Sequence, residues 1–205
     1  MNWLPRVCVL AVSSAALHPS AVAQVIEFES NGLKYQTLTK SGVTIIFARM
    51  PTHLREYSII QVAISNGSPG PYVIRPEDFS YVRSTGATIK AAAARDVVDM
   101  LRQKGSGTDV IKLVTAYEAA IYGNTHLQST NGYEQRREAA IAMGGSKMRA
   151  AATASALAFV QTRLAPGEST DGAVFFSTEG KQLGPGHLVV QTNTDTFQFL
   201  NATEP

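Results

Sequence analysis

Two stretches of β texture stand about seventy residues apart in this chain, and neither holds enough strands to close two sheets over a core. The first covers residues 33–89. Its runs "GVTIIFA" and "YSIIQVAIS" are rich in β-branched and aromatic residues and are bounded by turn formers, as strands are. In the second run Ile60, Val62 and Ile64 share one face, with Ile59, Gln61 and Ala63 on the other. That mixture is expected of a half-buried antiparallel strand. "NGSPGP" (66–71) sets two Gly and two Pro in six residues, a turn. "YVIRPEDFSYVRSTGATI" reads as two short strands around a polar corner, with a further turn at Ser84-Thr85-Gly86. Strand texture resumes at Val160 with "FVQTRL", "DGAVFFS", "GHLVVQT" and "TFQFL", and Phe197 and Phe199 share a face in the last of these.

Between the two blocks the period changes. Ala94, Val97, Val98 and Leu101 lie at helical spacing, and the run closes on Arg102, Lys104 and Gly105. In "GTDVIKLVTAYEAAIYGN", Thr108 or Asp109 can cap, and Val110, Val114, Tyr117 and Ile121 form a stripe. "YEQRREAAIAMGGSKMRAAATASALAF" is helix-prone, with Gly144-Gly145 as the break and Ser146 as the cap of the later half. Three or four helices are expected between about 91 and 160.

The two β blocks together come to about 100 residues, the size of an immunoglobulin-like sandwich of about seven short strands. The expected fold is therefore α+β: one discontinuous immunoglobulin-like antiparallel β-sandwich over residues 24–90 and 161–205, interrupted by a helical insertion over 91–160. "LAPGES" is then the first turn after the chain re-enters the sandwich. Two domains in series would leave the last block short of partners and rich in unpaired edges.

The first segment, "MNWLPRVCVLAVSSAALHPSAVAQ", has the parts of a secretory signal peptide over residues 1–23. A short front region carries Arg6, an apolar stretch of about 11 residues follows, and Ala21-Val22-Ala23 supplies small residues for cleavage before Gln24. The apolar stretch is too short for a bilayer, which needs about 20 residues. Cys8 stands at its front, where a lipid-modified cysteine would not be. Cleavage removes the only Cys and the only Trp, leaving no disulfide, thiol nucleophile or Cys-based zinc site. A secreted or periplasmic chain is expected, with no transmembrane span in the mature protein. Formal charge is +2 and no basic run occurs, so neither nucleic acid nor an anionic membrane is implied.

The stretches "IIQVAISNGSPGPYVIRPEDFSYVRSTGA" and "RLAPGESTDGAVFFS" resemble bacterial secreted immunoglobulin-like domains of the DUF4352 type. The matching features are a strand ending in Asn66 and small polar residues, and the corner Pro76-Glu77-Asp78-Phe79. With them go the turn Leu164-Ala165-Pro166-Gly167-Glu168-Ser169 and the strand Gly172-Ala173-Val174-Phe175-Phe176. The likeness covers about half of the mature chain and implies fold rather than activity. It hands over no catalytic residues.

No catalytic or metal motif stands out. His53, His126 and His187 lack metal-ligand spacing and read as exposed polar residues. Asp96 with Asp99, and Glu134 with Glu138, are interleaved with Arg95, Arg102 and Arg137, a solvated helix face. Glu118 lies between Tyr117 and Tyr122; it is expected to face water beside Lys112 or Thr115, and burial would make it an acid candidate. There is no Gly-x-Ser-x-Gly elbow, and "MGGSK" reads as a helix start rather than a phosphate loop. "AAATASALAFV" is small and apolar and is expected to pack inside the molecule. The expected function is a non-enzymatic binding or structural module whose helical insertion forms a recognition surface, facing an envelope or extracellular protein partner. Tyr117, Tyr122, Tyr133, Arg136 and Arg137 are its interface candidates, since aromatic and Arg side chains dominate interface energetics. No cofactor is expected. The rival is a cell-envelope hydrolase with the helices as a lid and Glu118 or Asp96/Asp99 as proton carriers.

Overall fold

Strand pairing joins the two β blocks directly. The computed structural model describes residues 24–122 and 132–200; the expected leader over 1–23 and His126 lie outside them. The chain runs β1 (Ile26–Ser30), β2 (Leu33–Lys40), β3 (Val43–Leu54), β4 (Tyr57–Asn66) and β5 (Tyr72–Ile74). A 3-10 turn (Pro76–Asp78), β6 (Phe79–Arg83) and β7 (Thr88–Lys90) complete the first block. Four helices follow among the described residues: α1 (Ala94–Lys104), α2 (Gly107–Tyr122), α3 (Tyr133–Ile141) and α4 (Ser146–Leu157). Then come β8 (Thr162–Leu164), β9 (Ser169–Ser177), β10 (Gly186–Gln191) and β11 (Thr196–Gln198). The fold is α+β with antiparallel sheets.

The largest sheet has the order β1-β2-β3-β4-β9, the second β11-β10-β6-β7, and β5 pairs with β8. Each of these sheets draws on both blocks. β4 meets β9 from Tyr57 opposite Ser177 to Ser65 opposite Ser169, and β6 meets β10 from Phe79 opposite Val190 to Arg83 opposite Gly186. At the end of β4, Asn66 fastens the two motif loops together. Its buried side-chain amide donates to the carbonyls of Gly70 (2.8 Å) and Leu164 (3.0 Å), and its Oδ1 accepts from Ser68. The backbone N–H of Gly167 donates to the Asn66 carbonyl.

Three layers result. Ile45, Phe47, Ile60, Val62 and Ile64 of the large sheet share one buried cluster with Phe79, Tyr81, Val190 and Phe197 of the second. On the other face of the large sheet, Tyr35, Ala48, Ile59, Ala173 and Phe175 share a second cluster with Val97, Leu101, Leu113, Tyr117, Ala154 and Leu157 of the helices. This corrects the half-buried reading of β4. Ile59, Gln61 and Ala63 are buried, as are Ile60 and Val62, because the helices cover the face that antiparallel sheets commonly give to water.

Within the helical layer α4 is central and touches α1, α2 and α3. Ala150, Ala151, Ala154 and Ala156 are buried along it; such small side chains permit a short distance between helix axes. The caps differ from expectation. Ser106, not Thr108 or Asp109, starts α2: its N–H and hydroxyl donate to Asp109 Oδ2 at 2.9 and 2.7 Å. Gly145 with positive φ, not Ser146, precedes α4. The α2 stripe is Val110, Leu113, Ala116, Tyr117 and Ala120, with Val114 only partly buried.

Both ends of the helical segment lie against the outer edge of β9. Ala92 N–H donates to the Phe175 carbonyl (2.8 Å) and Phe159 N–H donates to the Ala173 carbonyl (2.9 Å). The strand edge that would template aggregation is thus covered. Gly172 allows this, since a Cβ there would lie 2.6 Å from Phe159 Cα.

Candidate functional site

Strand parity places one carboxylate where the helical layer needs apolar surface. Ala173 and Phe175 of β9 face the helices, and side chains two apart share a face, so Asp171 faces them too. It is buried. It accepts hydrogen bonds from the Tyr117 hydroxyl of α2 and from Gln61 Nε2 of β4, the latter at 3.5 Å. Gln61 is itself buried, and its Oε1 has no hydrogen-bond partner among the described residues.

From Asp171 a chain of contacts runs outward through the helices. The Tyr117 ring packs on that of Tyr133, with centroids 4.0 Å apart. The Arg137 guanidinium lies 5.9 Å from the Tyr133 ring centroid, within cation–π range. Arg137 also pairs with Glu118, both half-buried. This corrects the expectation for Glu118: it meets Arg137 of α3 rather than water beside Lys112 or Thr115.

Beside Asp171 a cleft of about 410 Å³ opens between the helical layer and the β8–β9 turn. Asp171 and Thr170 form one wall, Ser155 and Ala156 of α4 another, and Arg136 and Arg163 carry its positive charge. Arg136 Nε donates to the Ala156 carbonyl (3.3 Å), which holds the side chain along the cleft. Glu168, also on the wall, is turned into its own loop, where its Oε2 accepts from Ala165 N–H (2.7 Å). A buried acceptor and two guanidinium groups on one concavity suit a ligand carrying both a hydrogen-bond donor and an oxyanion.

Of the residues singled out in the sequence, Tyr117, Tyr133 and Arg137 come together, and Arg136 lines the adjoining cleft. Tyr122 ends α2, and its side chain lies outside the described residues. Asp96 and Asp99 are exposed, each beside its own arginine, Arg95 at 3.6 Å and Arg102 at 3.5 Å. Glu134 and Glu138 are exposed on α3. His53 and His187 are half-buried rather than exposed, on β3 and β10. Among the described residues no group of three His, Cys, Asp or Glu could hold a metal ion, and no helix is long and apolar enough to cross a membrane. Asp171 and Gln61 are the residues that motif reading missed. The available signal was parity: in "STDGAVFFS" the Asp lies two and four residues from Ala173 and Phe175. Compared with protein families, curated proteins and solved structures, the chain matches none.

Proposed function

We propose that the protein is a secreted or periplasmic binding module. In this reading an immunoglobulin-like two-sheet frame of the DUF4352 kind carries a helical layer that completes a ligand cleft. The ligand is a small molecule or chain end with both a donor group and an oxyanion, such as a peptide terminus or an amino sugar acid. The observation that carries this is the pairing on one cleft of buried Asp171 with the guanidinium groups of Arg136 and Arg163. A donor on the ligand would join Tyr117 and Gln61 at the Asp171 carboxylate, and the arginines would take the anion bidentately. The wider surface of α3, with Tyr133 and Arg137 behind it, would receive the rest of a larger partner.

The test is calorimetric titration of the protein with a panel of dipeptides and amino sugar acids. Saturable binding that weakens at least tenfold in both Arg136→Ala and Arg163→Ala supports the reading. Absence of binding across the panel, or binding indifferent to both changes, defeats it. The hydrolase alternative draws its support from the same buried carboxylate, with Asp171 in place of Glu118 or Asp96/Asp99. Turnover of a panel member by the native protein, abolished in Asp171→Asn while folding persists, would favour it.

A further inference from the structure

A second concavity, on other elements, has a different chemistry. In β3 the pairing with β4 shifts between Arg49 and His53: Arg49 faces Ile60 and His53 faces Ser58. Residues 50–52 are therefore set against Ile59 alone, a bulge that turns this part of the strand outward. The loop over 182–185 that leads into β10 stands opposite, and between the two lies a cleft of about 530 Å³. Its apolar walls are Met50, Pro51, Leu183 and Pro185. Arg49 and His53 are the ionisable side chains that line it; no Asp or Glu does.

Arg49 is oriented by neutral groups. Its Nη1 donates to the Tyr81 hydroxyl (2.8 Å) and to the Gly184 carbonyl (3.3 Å), and the Tyr81 hydroxyl donates to the same carbonyl (2.8 Å). Tyr81, the nearer of the two anchors, is wholly buried. With Nη1 held, the Nε–Nη2 edge is the side of the fork left to meet a planar oxyanion. Among the described residues the ion pairs are made by Arg55, Arg95, Arg102 and Arg137, not by Arg49. Lys112 Nζ reaches the His53 carbonyl at 3.5 Å and adds positive charge nearby.

We propose that this cleft binds a small organic anion, its carboxylate or phosphate on the Nε–Nη2 edge of Arg49 and its apolar body against Met50, Pro51, Leu183 and Pro185. The site is independent of the cleft beside Asp171. The volume falls within the usual range for small-molecule sites, about 300–1,000 Å³. Arg49 is exposed at the cleft with neutral partners, so an anion can dock on its fork without displacing an ion pair.

The experiment is heteronuclear NMR of the full protein titrated separately with hexanoate, hexyl phosphate, inorganic phosphate and hexanol. Hexanoate, hexyl phosphate or both should shift the Met50 and Leu183 methyl signals and the Gly184 amide saturably, and whichever binds more tightly identifies the head group. Inorganic phosphate and hexanol should bind at least tenfold more weakly, since each lacks one half of the ligand. Arg49→Gln should reduce the tighter ligand's affinity at least tenfold; Arg49→Lys, which keeps the charge without the anchored fork, should reduce it several-fold. If Arg49→Gln proves unfolded by circular dichroism, Arg49→Lys carries the test alone. The proposal is overturned if neither hexyl anion saturates, or if hexanol binds as tightly as they do. Equal affinity for inorganic phosphate, or native affinity in the folded Arg49 variants, overturns it as well.

Discussion

Asp109 and Asp78 are each the third residue of a helical turn, yet their surroundings move their acidity in opposite directions. Burial pushes the Asp109 carboxyl up, but the Ser106 hydroxyl and N–H together with the Arg55 guanidinium outweigh it and hold the group below the ordinary range. Its folded pKa lies below the unfolded value of about 3.9. It therefore adds stability that is complete above about pH 4 and is lost as pH falls through the lowered folded value. Arg55 Nη2 meets Asp109 Oδ2 at 2.7 Å, tying the β3–β4 hairpin to α2. Asp109→Asn should destabilise by about 2 kcal/mol at neutral pH, measured by urea denaturation, with the difference from the native protein shrinking below pH 4. Burial also pushes Asp78 up, and there the Arg75 N–H and charge do not outweigh it. Ionised Asp78 thus opposes folding, so Asp78→Asn should cost little at neutral pH or stabilise, provided the amide oxygen keeps the bond from Arg75 N–H. Asn66→Ala, which takes the side-chain donor from the Leu164 carbonyl and leaves the Gly70 carbonyl only the Ser68 hydroxyl (3.0 Å), should cost about 2 kcal/mol by the same assay. Asn66 was legible as the end of a strand. Its reach to Leu164 was not, because turn chemistry specifies a loop and not the loop it touches.

At the level of elements, period and turn signals located β3, β4, β9, β10 and the four helices among the described residues. The errors share one cause. The reading of β4 as half-buried, the α2 stripe drawn through Val114 rather than Leu113, and the exposed Glu118 all depend on what lies opposite an element, and local pattern is blind to that. β1 escaped notice because its residues are mostly exposed and little apolar periodicity marks it. The carboxylate of the cleft was hidden for a related reason: Asp171 opens the run "DGAVFFS", which reads as a strand, and its face becomes visible only when Phe175 is known to meet the helices. The contact of β9 with residues 158–159 has a sharp test. Gly172→Ala drives a methyl into the Phe159 backbone, and the strain should cost about 3 kcal/mol. Differential scanning calorimetry should show a lower midpoint. An unchanged midpoint would mean that residues 158–159 lie farther from β9 than described.

Across the whole molecule the helices are a layer rather than a detour. Replacing residues 91–160 with a short Gly/Ser bridge would uncover Tyr35, Ile59 and Phe175 together with the outer edge of β9. The product is expected to aggregate rather than fold cooperatively, as judged by sedimentation. A soluble, cooperative β fold from that deletion would show that the sheets stand without the helices. The central claim is that strands from both ends of the chain and the helices between them form one cooperative unit, on which the cleft beside Asp171 depends. Native-state hydrogen exchange read by mass spectrometry addresses it most directly. Amides of β4, β9 and α4 should lose protection together, in one opening whose free energy equals that of global unfolding. If β9 or α4 exchanges through a separate opening of lower energy while β2, β3 and β4 stay protected, the account is wrong.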